Sequence, residues 1–442
     1  MTEHAPPPGR PPDPIVLLAW CLALAALASA FVQGRRAAGL DFYQFWVVAQ
    51  VAGRADVADI YDYETRARLG SEYVGRAATD EDSARRRAVA GSWPVLEPTA
   101  TPFFYAALRP LSGRTYERDY LLFSLLSLAA LGAGLLVTAR LLGHGPAAAL
   151  LACAFVGLSF QPLQSDIRVG NVNQLQVGLA AAWLWLSARG DRSRLQVAAG
   201  ALLALLVLFK PNLLPVVPLL AGGWWWRGRR RKLALQAAGL GAGAVVALLA
   251  TQLVYGSLSV WTRWLEYVNG LPPAKIPLSY GNVGLGRLLL EAVGEDVSPA
   301  LAALGTAAAL YCLWCGRRAS GGTAAGAAAE DGAALAAGVL VYLLSAPIVW
   351  THYLLLALPA VLVALRPRAE RPAWRTAAAA AALFAIAIDP WADPLGVRDV
   401  RLQAVVAALA LLLLFVLVCL EMAGRALPPP APPATMPDGG CQ

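Results

Sequence analysis

Apolar runs of about 20 residues recur in this chain from Pro14 to Glu421, and they constrain its fold more than any other feature. A hydrocarbon core about 30 Å thick needs about 20 apolar residues for each helix that crosses it. Charged residues make up only 14% of the chain, whereas about a quarter is usual for soluble domains. Long stretches therefore have no face suited to water, and the sequence predicts an all-α protein that crosses a membrane many times.

The runs predict a bundle of about 12 transmembrane helices. The segment 353–365 is short, so we expect a bent or partial span there. The predicted spans are residues 14–33, 119–140, 146–163, 174–188, 195–209, 212–226, 233–255, 299–316, 333–350, 353–365, 373–388 and 401–421.

Basic residues in the short loops indicate the orientation of the bundle, because Lys and Arg accumulate in cytoplasmic loops. With the N-terminus in the cytoplasm, four inner loops are strongly basic, whereas the short outer loops contain only Arg168, Lys210 and Arg398. The Ala-, Arg- and Gly-rich composition is typical of a GC-rich bacterial genome, so we expect a multi-pass protein of the bacterial plasma membrane. The inner basic loops lie within residues 189–194, 227–232, 317–318 and 366–375.

One membrane domain, residues 14–421, is expected between a disordered N-terminal tail at 1–13 and a disordered Pro-rich tail at 422–442. Two long loops, at about 34–118 and 256–298, fall outside the cell in this orientation.

Two further segments carry structural expectations. In the first outer loop, residues 42–53 predict an amphipathic helix along the membrane surface. On the inner side, the Ala- and Gly-rich stretch 319–332 predicts a flexible linker.

The net charge of +8 raises the question of a nucleic-acid partner. The basic run 227–232 directly follows Trp224-Trp225-Trp226, which is typical of an aromatic belt at a cytoplasmic loop, so no nucleic acid is expected; phosphate binding by such clusters is the alternative. The sequence has no Walker A motif, no Gly-rich dinucleotide fingerprint and no cluster of His and carboxylates. Cys312-x-x-Cys315 lacks a second pair, and we predict neither a cofactor nor a metal.

Asp41 is the first candidate catalytic residue, just after the first predicted span in Gly39-Leu40-Asp41-Phe42. A carboxylate at the membrane surface can act as a general base on a hydroxyl, since partial desolvation raises its pKa toward the useful range. Asp is also a good N-cap. The alternative role is therefore to cap a helix that begins at Phe42.

Lys210 and His352 are the other two residues that we expect to act on a substrate. Lys210-Pro211 links two spans on the outer side, where an ammonium can neutralise a phosphate or simply extend to the interface. His352 is one of three His in the chain and lies in the segment SAPIVWTHY, residues 345–353. It can donate to a phosphate or shuttle a proton, or serve as an interfacial aromatic beside Trp350 and Tyr353.

Two outer loops add polar candidates. Residues 164–174 read QSDIRVGNVNQ, which is either a substrate-contacting segment or a simple polar loop. Arg287, with Tyr280 in the second long loop, forms another candidate anion site. The polar residues of the first segment are Asp166, Arg168, Asn171 and Asn173.

Six segments occur in a recognisable order: residues 41–43, 60–62, 98–105, 170–173, 210–211 and 345–353. This order resembles glycosyltransferase family 87, part of the GT-C superfamily of polytopic enzymes that use polyprenyl-phosphate sugars. That family has an Asp after the first span, a Gly-Gln-x-Asn loop, a Lys-Pro between two spans and a Ser-Pro-x-Ser-Trp-x-His-His segment. The resemblance covers residues 14–365, with Asn171 in place of the family's Gln and Tyr353 in place of its second His.

The resemblance implies a GT-C-like bundle and a transferase that moves a hexose, most often mannose, from a polyprenyl-phosphate donor. The acceptor would be a hydroxyl of a lipid or glycan on the outer face, attacked with inversion, and membrane lipid would surround the enzyme. By similarity Asp41 is the base and His352 assists catalysis. Lys210, Arg168, Asn171, Asn173 and Arg287 would bind substrate or its phosphate.

Two other classes of function fit the same sequence. A multi-span transporter or lipid flippase would also need many spans and polar groups at membrane depth. However, the two halves of the chain show no clear repeat and no paired broken helices, which many transporters have. A non-catalytic assembly partner in the membrane is the third interpretation.

Overall fold

The computed structural model describes residues 13–92, 94–113, 115–189, 192–271, 278, 281–318, 324–368, 371–387 and 399–423. The two predicted tails, apart from Asp13, Met422 and Ala423, lie outside these residues, as does Tyr280. The described part of the chain is helical, with one isolated bridge that pairs Asn282 with Trp350. The α-helices are α1 (Pro14–Gly34), α2 (Leu40–Val51), α3 (Tyr63–Ala78), α4 (Ser83–Gly91), α5 (Pro102–Leu108), α6 (Tyr116–Leu141), α7 (Pro146–Ser159), α8 (Gln161–Val169), α9 (Asn173–Ser187), α10 (Ser193–Phe209), α11 (Val216–Trp226), α12 (Arg230–Tyr255), α13 (Ser259–Asn269), α14 (Leu285–Val293), α15 (Ser298–Cys315), α16 (Ala324–Ser345), α17 (Leu358–Ala364), α18 (Ala373–Ala387) and α19 (Val400–Ala423).

Six described helices are long and apolar enough to cross a bilayer: α1, α6, α12, α15, α16 and α19. The pair α7 and α8, bent by 64°, would make a seventh span. This architecture is that of a polytopic membrane protein. Several predicted spans are shorter helices, among them α9, α11 and α18, so the predicted number of about 12 is not confirmed.

Small residues allow the long helices to approach each other closely. A Cβ on Gly239 of α12 would lie 2.0 Å from the carbonyl oxygen of Val197 in α10, and a Cβ on Gly200 would lie 2.1 Å from that of Gln236. Association of helices in lipid depends on such close contacts, because lipid tails are as apolar as the side chains themselves. Glycine at these two positions therefore holds α10 against α12.

Helix α2 corrects one prediction. Residues 42–53 do not form a surface helix, because Phe42, Tyr43, Trp46 and Val48 of α2 are all buried. Phe42 stacks on the ring of Phe123 in α6 with a centroid distance of 4.7 Å. The apolar and aromatic residues all around α2 mark a helix enclosed by protein, and this buried helix carries Asp41.

Helix α16 corrects a second prediction, because residues 324–332 are helical and not a flexible linker. Glu330 and Asp331 of this helix are buried, with 6% and 2% exposure. Asp331 accepts hydrogen bonds from Lys232 Nζ at 2.6 Å and from Ser187 Oγ at 2.7 Å. We call this group the Asp331 cluster; its members are Ser187, Trp224, Arg229, Lys232, Glu330 and Asp331.

Candidate active site

The turn before α2 fixes the position of Asp41. Gly39 caps the helix in the left-handed region, at φ 72°, and Leu40 is the first helical residue. A Cβ at Gly39 would lie 2.6 Å from the Tyr120 ring, so only glycine fits this turn. Asp41 lies in the first turn of α2, and no side chain caps this helix, so the alternative role of Asp41 as the N-cap is wrong.

Asn171 connects the Asp41 carboxylate to the Lys210 ammonium. Its Nδ2 donates to Asp41 Oδ2 at 2.6 Å, and its Oδ1 accepts from Lys210 Nζ at 3.2 Å. These three residues come from α2, from the loop after α8 and from the end of α10. We call them, together with His352, the Asp41 cluster.

His352 completes the cluster from a fourth segment. Its Nε2 lies 3.7 Å from Asp41 Oδ2 and has no hydrogen-bond partner within the described residues. The backbone around it is held by Asn282, whose Oδ1 accepts from Val349 N at 3.2 Å. Thr351 N also donates to the carbonyl oxygen of Gly281 at 2.7 Å. The second long loop thus positions the imidazole.

Asp166 is a site residue whose role the sequence did not reveal. It is fully buried, and its carboxylate accepts from Asn173 Nδ2 at 2.7 Å and from Gln174 Nε2 at 2.9 Å. Asn173 Nδ2 also reaches the carbonyl oxygen of His352 at 3.3 Å. Asn173 therefore holds the backbone of His352 in place. Asn173 lies close to Asp166 because the chain turns between α8 and α9.

Lys210 directly follows α10, has an extended backbone and is partly buried. Its ammonium lies 4.3 Å from the centre of the Tyr353 ring, a cation–π contact that stabilises the positive charge. The side chain thus points toward Tyr353 and Asn171. Tyr353, which stands where the resemblance has a second His, is a member of the site that sequence reasoning treated only as an interfacial residue.

The two predicted arginines lie apart from these contacts. The side chain of Arg168 is exposed at the end of α8, where its backbone carbonyl accepts from Gly39 N at 3.1 Å. Arg287 is 7% exposed and pairs with Glu291 at 3.0 Å. Their expected contacts with a substrate phosphate stay predictions.

Burial sets the protonation behaviour of the two charged groups. It raises the pKa of Asp41 above the usual value for a carboxyl, against the opposing effects of the Asn171 hydrogen bond and the Lys210 charge. Burial lowers the pKa of Lys210 to about 8, against the attraction of Asp41 and Asp166. The Asp41 carboxylate nevertheless keeps 36% side-chain exposure. Asp41 is therefore a stronger base than an ordinary Asp, and a ligand can still reach it.

An apolar groove of about 550 Å³ lies between α5, α6 and α9. At one end it is lined by Leu175 and Phe209, the chain neighbours of Gln174 and Lys210. Its walls come from α6 and α9 down to Trp185, so the groove follows about 15 Å of α9. Such a surface suits a hydrocarbon chain.

The family model of glycosyltransferase family 87 matches residues 99–347, which is more than half of the chain. The matched region includes Asn171 and Lys210, whereas Asp41 precedes it and His352 follows it. No curated protein and no solved structure matches the chain. With its apolar spans and the extent of this match, the chain belongs to glycosyltransferase family 87 and is a membrane glycosyltransferase.

Proposed function

We propose that this enzyme transfers a hexose, mannose in the first instance, from a polyprenyl-phosphate donor to a hydroxyl of a lipid or glycan acceptor. The reaction inverts the anomeric carbon and takes place on the outer face of a bacterial plasma membrane. The observation that carries the proposal is the Asp41–Asn171–Lys210 chain of contacts, together with an apolar groove whose lining includes Phe209, the chain neighbour of Lys210.

In this mechanism Asp41 is the general base. It takes the proton of the acceptor hydroxyl as the oxygen forms a bond to the anomeric carbon. The bond from that carbon to the donor phosphate oxygen breaks with its electron pair, and polyprenyl phosphate leaves. A carboxyl of raised pKa binds this proton more strongly than an ordinary Asp, which assists the step near neutral pH.

Lys210 stabilises the negative charge that develops on the departing phosphate. A fixed cation in a partly dehydrated site lowers the barrier more than the same cation in water. Asn171 keeps the ammonium and the carboxylate apart, because its amide lies between them and hydrogen-bonds to both. His352, whose Nε2 has no partner within the described residues, donates to the phosphate or relays the proton.

The apolar groove supports a lipid-linked donor in preference to a soluble nucleotide sugar. It offers no polar cradle for a nucleotide: its named lining is Ala, Gly, Leu, Val, Trp and Phe. Burying a hydrocarbon chain contributes about 0.8 kcal/mol for each CH₂ group. A prenyl chain in the groove would hold its phosphate near Lys210.

The basic loops support the outer location. Asn173 begins α9 beside the Asp41 cluster, and Ser187 ends it beside Lys232. The two ends of this helix lie about 21 Å apart. Lys232 belongs to the run 227–232 that the charge rule assigns to the cytoplasm, so the Asp41 cluster would face the opposite side.

A transfer assay with altered groove residues tests the donor. Membranes receive radiolabelled polyprenyl-phosphate mannose with long or short prenyl chains, and label is followed into lipid and glycan. Ala133→Trp places a large ring in the groove, where Ala133 is exposed. We expect the KM for the long-chain donor to rise at least about tenfold, since excluded CH₂ groups lose their burial energy.

Ala238→Trp is the matched control, because Ala238 is exposed on α12 away from the groove. It should leave the donor KM unchanged. Equal donor KM values in both variants would contradict the lipid role of the groove. Transfer from a nucleotide sugar in the absence of any lipid-linked donor would overturn the proposed donor class.

A further inference from the structure

A second, polar cavity of about 280 Å³ lies between the two long loops. One wall is the segment after α2, and the other is the junction between α12 and α13. The two walls touch at Gly53, where a Cβ would lie 1.9 Å from the carbonyl oxygen of Val254. Gly53 also has φ +75°, so this cavity depends on a glycine that joins the two loops.

Tyr255, a residue of the cavity wall, has a hydroxyl that the protein leaves unsatisfied. Tyr255 Oη is buried and has no hydrogen-bond partner in the part of the chain that the structure describes. Leaving such a group unpaired costs about 1–3 kcal/mol, and an unpaired buried group in a native protein calls for a partner. Ser257 and Ser259 add exposed hydroxyls to the same wall.

The two arginines that line the cavity are both paired with carboxylates. Arg263 pairs with Asp59 at 3.3 Å, and Arg54 pairs with both Asp56 at 2.7 Å and Glu72 at 3.1 Å. Both guanidinium groups that line the cavity are therefore already paired with carboxylates, two of which are shared with Arg68 and Arg76. Paired charges and serine hydroxyls, next to a tyrosine ring, suit a neutral ligand rich in hydroxyl groups.

The cavity and Asp41 lie at opposite ends of α2. Asp41 lies in the first turn of α2, and Ala52, which lines the cavity, directly follows the last turn. The axial distance between them is about 16 Å. The volume is close to the lower limit for small-molecule pockets, the size range of a mono- or disaccharide. Asp41 and this cavity would contact different parts of one acceptor.

We propose that the cavity binds a neutral saccharide, namely a remote part of the glycan acceptor. The assignment as an acceptor subsite rests on the proposed function, whereas saccharide binding itself does not. Binding energy from a remote part of a substrate can be used to orient its reacting group. A subsite at this distance would favour an acceptor that already carries several sugars.

Saturation-transfer NMR on the full chain in nanodiscs tests the proposal without any donor. The probes are methyl α-mannoside, mannobiose, and the corresponding glucose and galactose compounds, with inorganic phosphate as the anionic probe. We expect at least one saccharide to bind the wild-type protein. Ser257→Trp, which fills the cavity, should abolish binding, and Tyr255→Phe should weaken it about 3- to 10-fold.

Tyr311→Phe is the control, since it removes the same atom from an exposed position on α15. It should bind like the wild type, and so should Asp41→Asn, even if that variant transfers no sugar. Absence of saccharide binding, or equal binding by Ser257→Trp, would overturn the proposal. Binding of phosphate in place of saccharide would also overturn it, and unchanged affinity in Tyr255→Phe would remove the tyrosine from the site.

Discussion

The Asp41 cluster and the Asp331 cluster lie at opposite ends of α9 and differ in how completely their charges are paired. Asp331 has 2% exposure and receives hydrogen bonds from Lys232, Ser187 and Trp224. Asp41 keeps 36% side-chain exposure, and the His352 Nε2 next to it lacks a partner among the described residues. Both oxygens of the Asp331 carboxylate accept hydrogen bonds, whereas the Asp41 carboxylate is open to a ligand.

This difference separates stability from function. A buried charge pair with all of its hydrogen bonds satisfied holds helices together, and breaking it leaves a buried charge without compensation. An exposed carboxylate of raised pKa stabilises the fold less but can accept a proton. We therefore expect substitutions in the Asp331 cluster to change folding, and substitutions in the Asp41 cluster to change rate and pH dependence.

The largest effect is expected at Asp331. Asp331→Ala leaves the largely buried Lys232 ammonium without its carboxylate and should lower the free energy of unfolding by about 3 kcal/mol. Denaturant unfolding of the purified protein in detergent measures this change. Glu295→Ala, at an exposed position, is the control. Equal free energies of unfolding in Asp331→Ala and Glu295→Ala would contradict the structural role of the Asp331 cluster.

Asp41→Asn, in contrast to Asp331→Ala, should change the transfer rate and not the stability. Loss of the base should reduce the transfer rate by about 10²-fold or more, while the unfolding midpoint stays close to that of the wild type. The radiolabelled transfer assay measures the rate, and Asp296→Asn in the second long loop, also exposed, provides a matched substitution. Full transfer activity in Asp41→Asn would exclude Asp41 as the base, although the chain would still be a glycosyltransferase.

Lys210 should produce the alkaline limb of the pH–rate profile. Its pKa is lowered to about 8, so the ammonium is lost and the rate falls as the pH rises through that value. Lys210→Arg keeps a cation throughout this range and should move the fall to higher pH. Lys232→Arg makes the same change in the Asp331 cluster, and a shift of the limb in that variant would contradict the assignment.

The smallest effect is expected at Asn171. Its hydrogen bond favours the charged form of Asp41 and lowers the pKa of that carboxyl, so Asn171→Ala should raise this pKa. The acid limb of the profile then moves to higher pH, because more alkaline conditions are needed to free the base. Asn269→Ala, at an exposed position on α13, should leave the acid limb in place. An acid limb at lower pH in Asn171→Ala would show that the amide acts differently.

Sequence patterns anticipated part of this site. The order of Asp41, Asn171, Lys210 and His352 among the apolar runs led to the expectation that they share one side of the membrane, and the structure brings these four residues together. Asp166 was visible only as one polar residue in a polar loop. Its contacts with Asn173 and Gln174 require the chain to turn between α8 and α9, which no local pattern specifies.

The sequence by itself determined that this chain is a polytopic helical membrane protein, because the length and hydrophobicity of the apolar runs suffice for that. Motif order indicated glycosyltransferase family 87, and the family model over residues 99–347 confirmed it. Only the tertiary structure decided that α2 is enclosed by other helices, that α16 begins before Glu330, and that Asn171 connects Asp41 to Lys210. The physical reason is that hydrophobicity separates lipid from water but does not distinguish lipid from protein. Contacts between distant segments make that distinction.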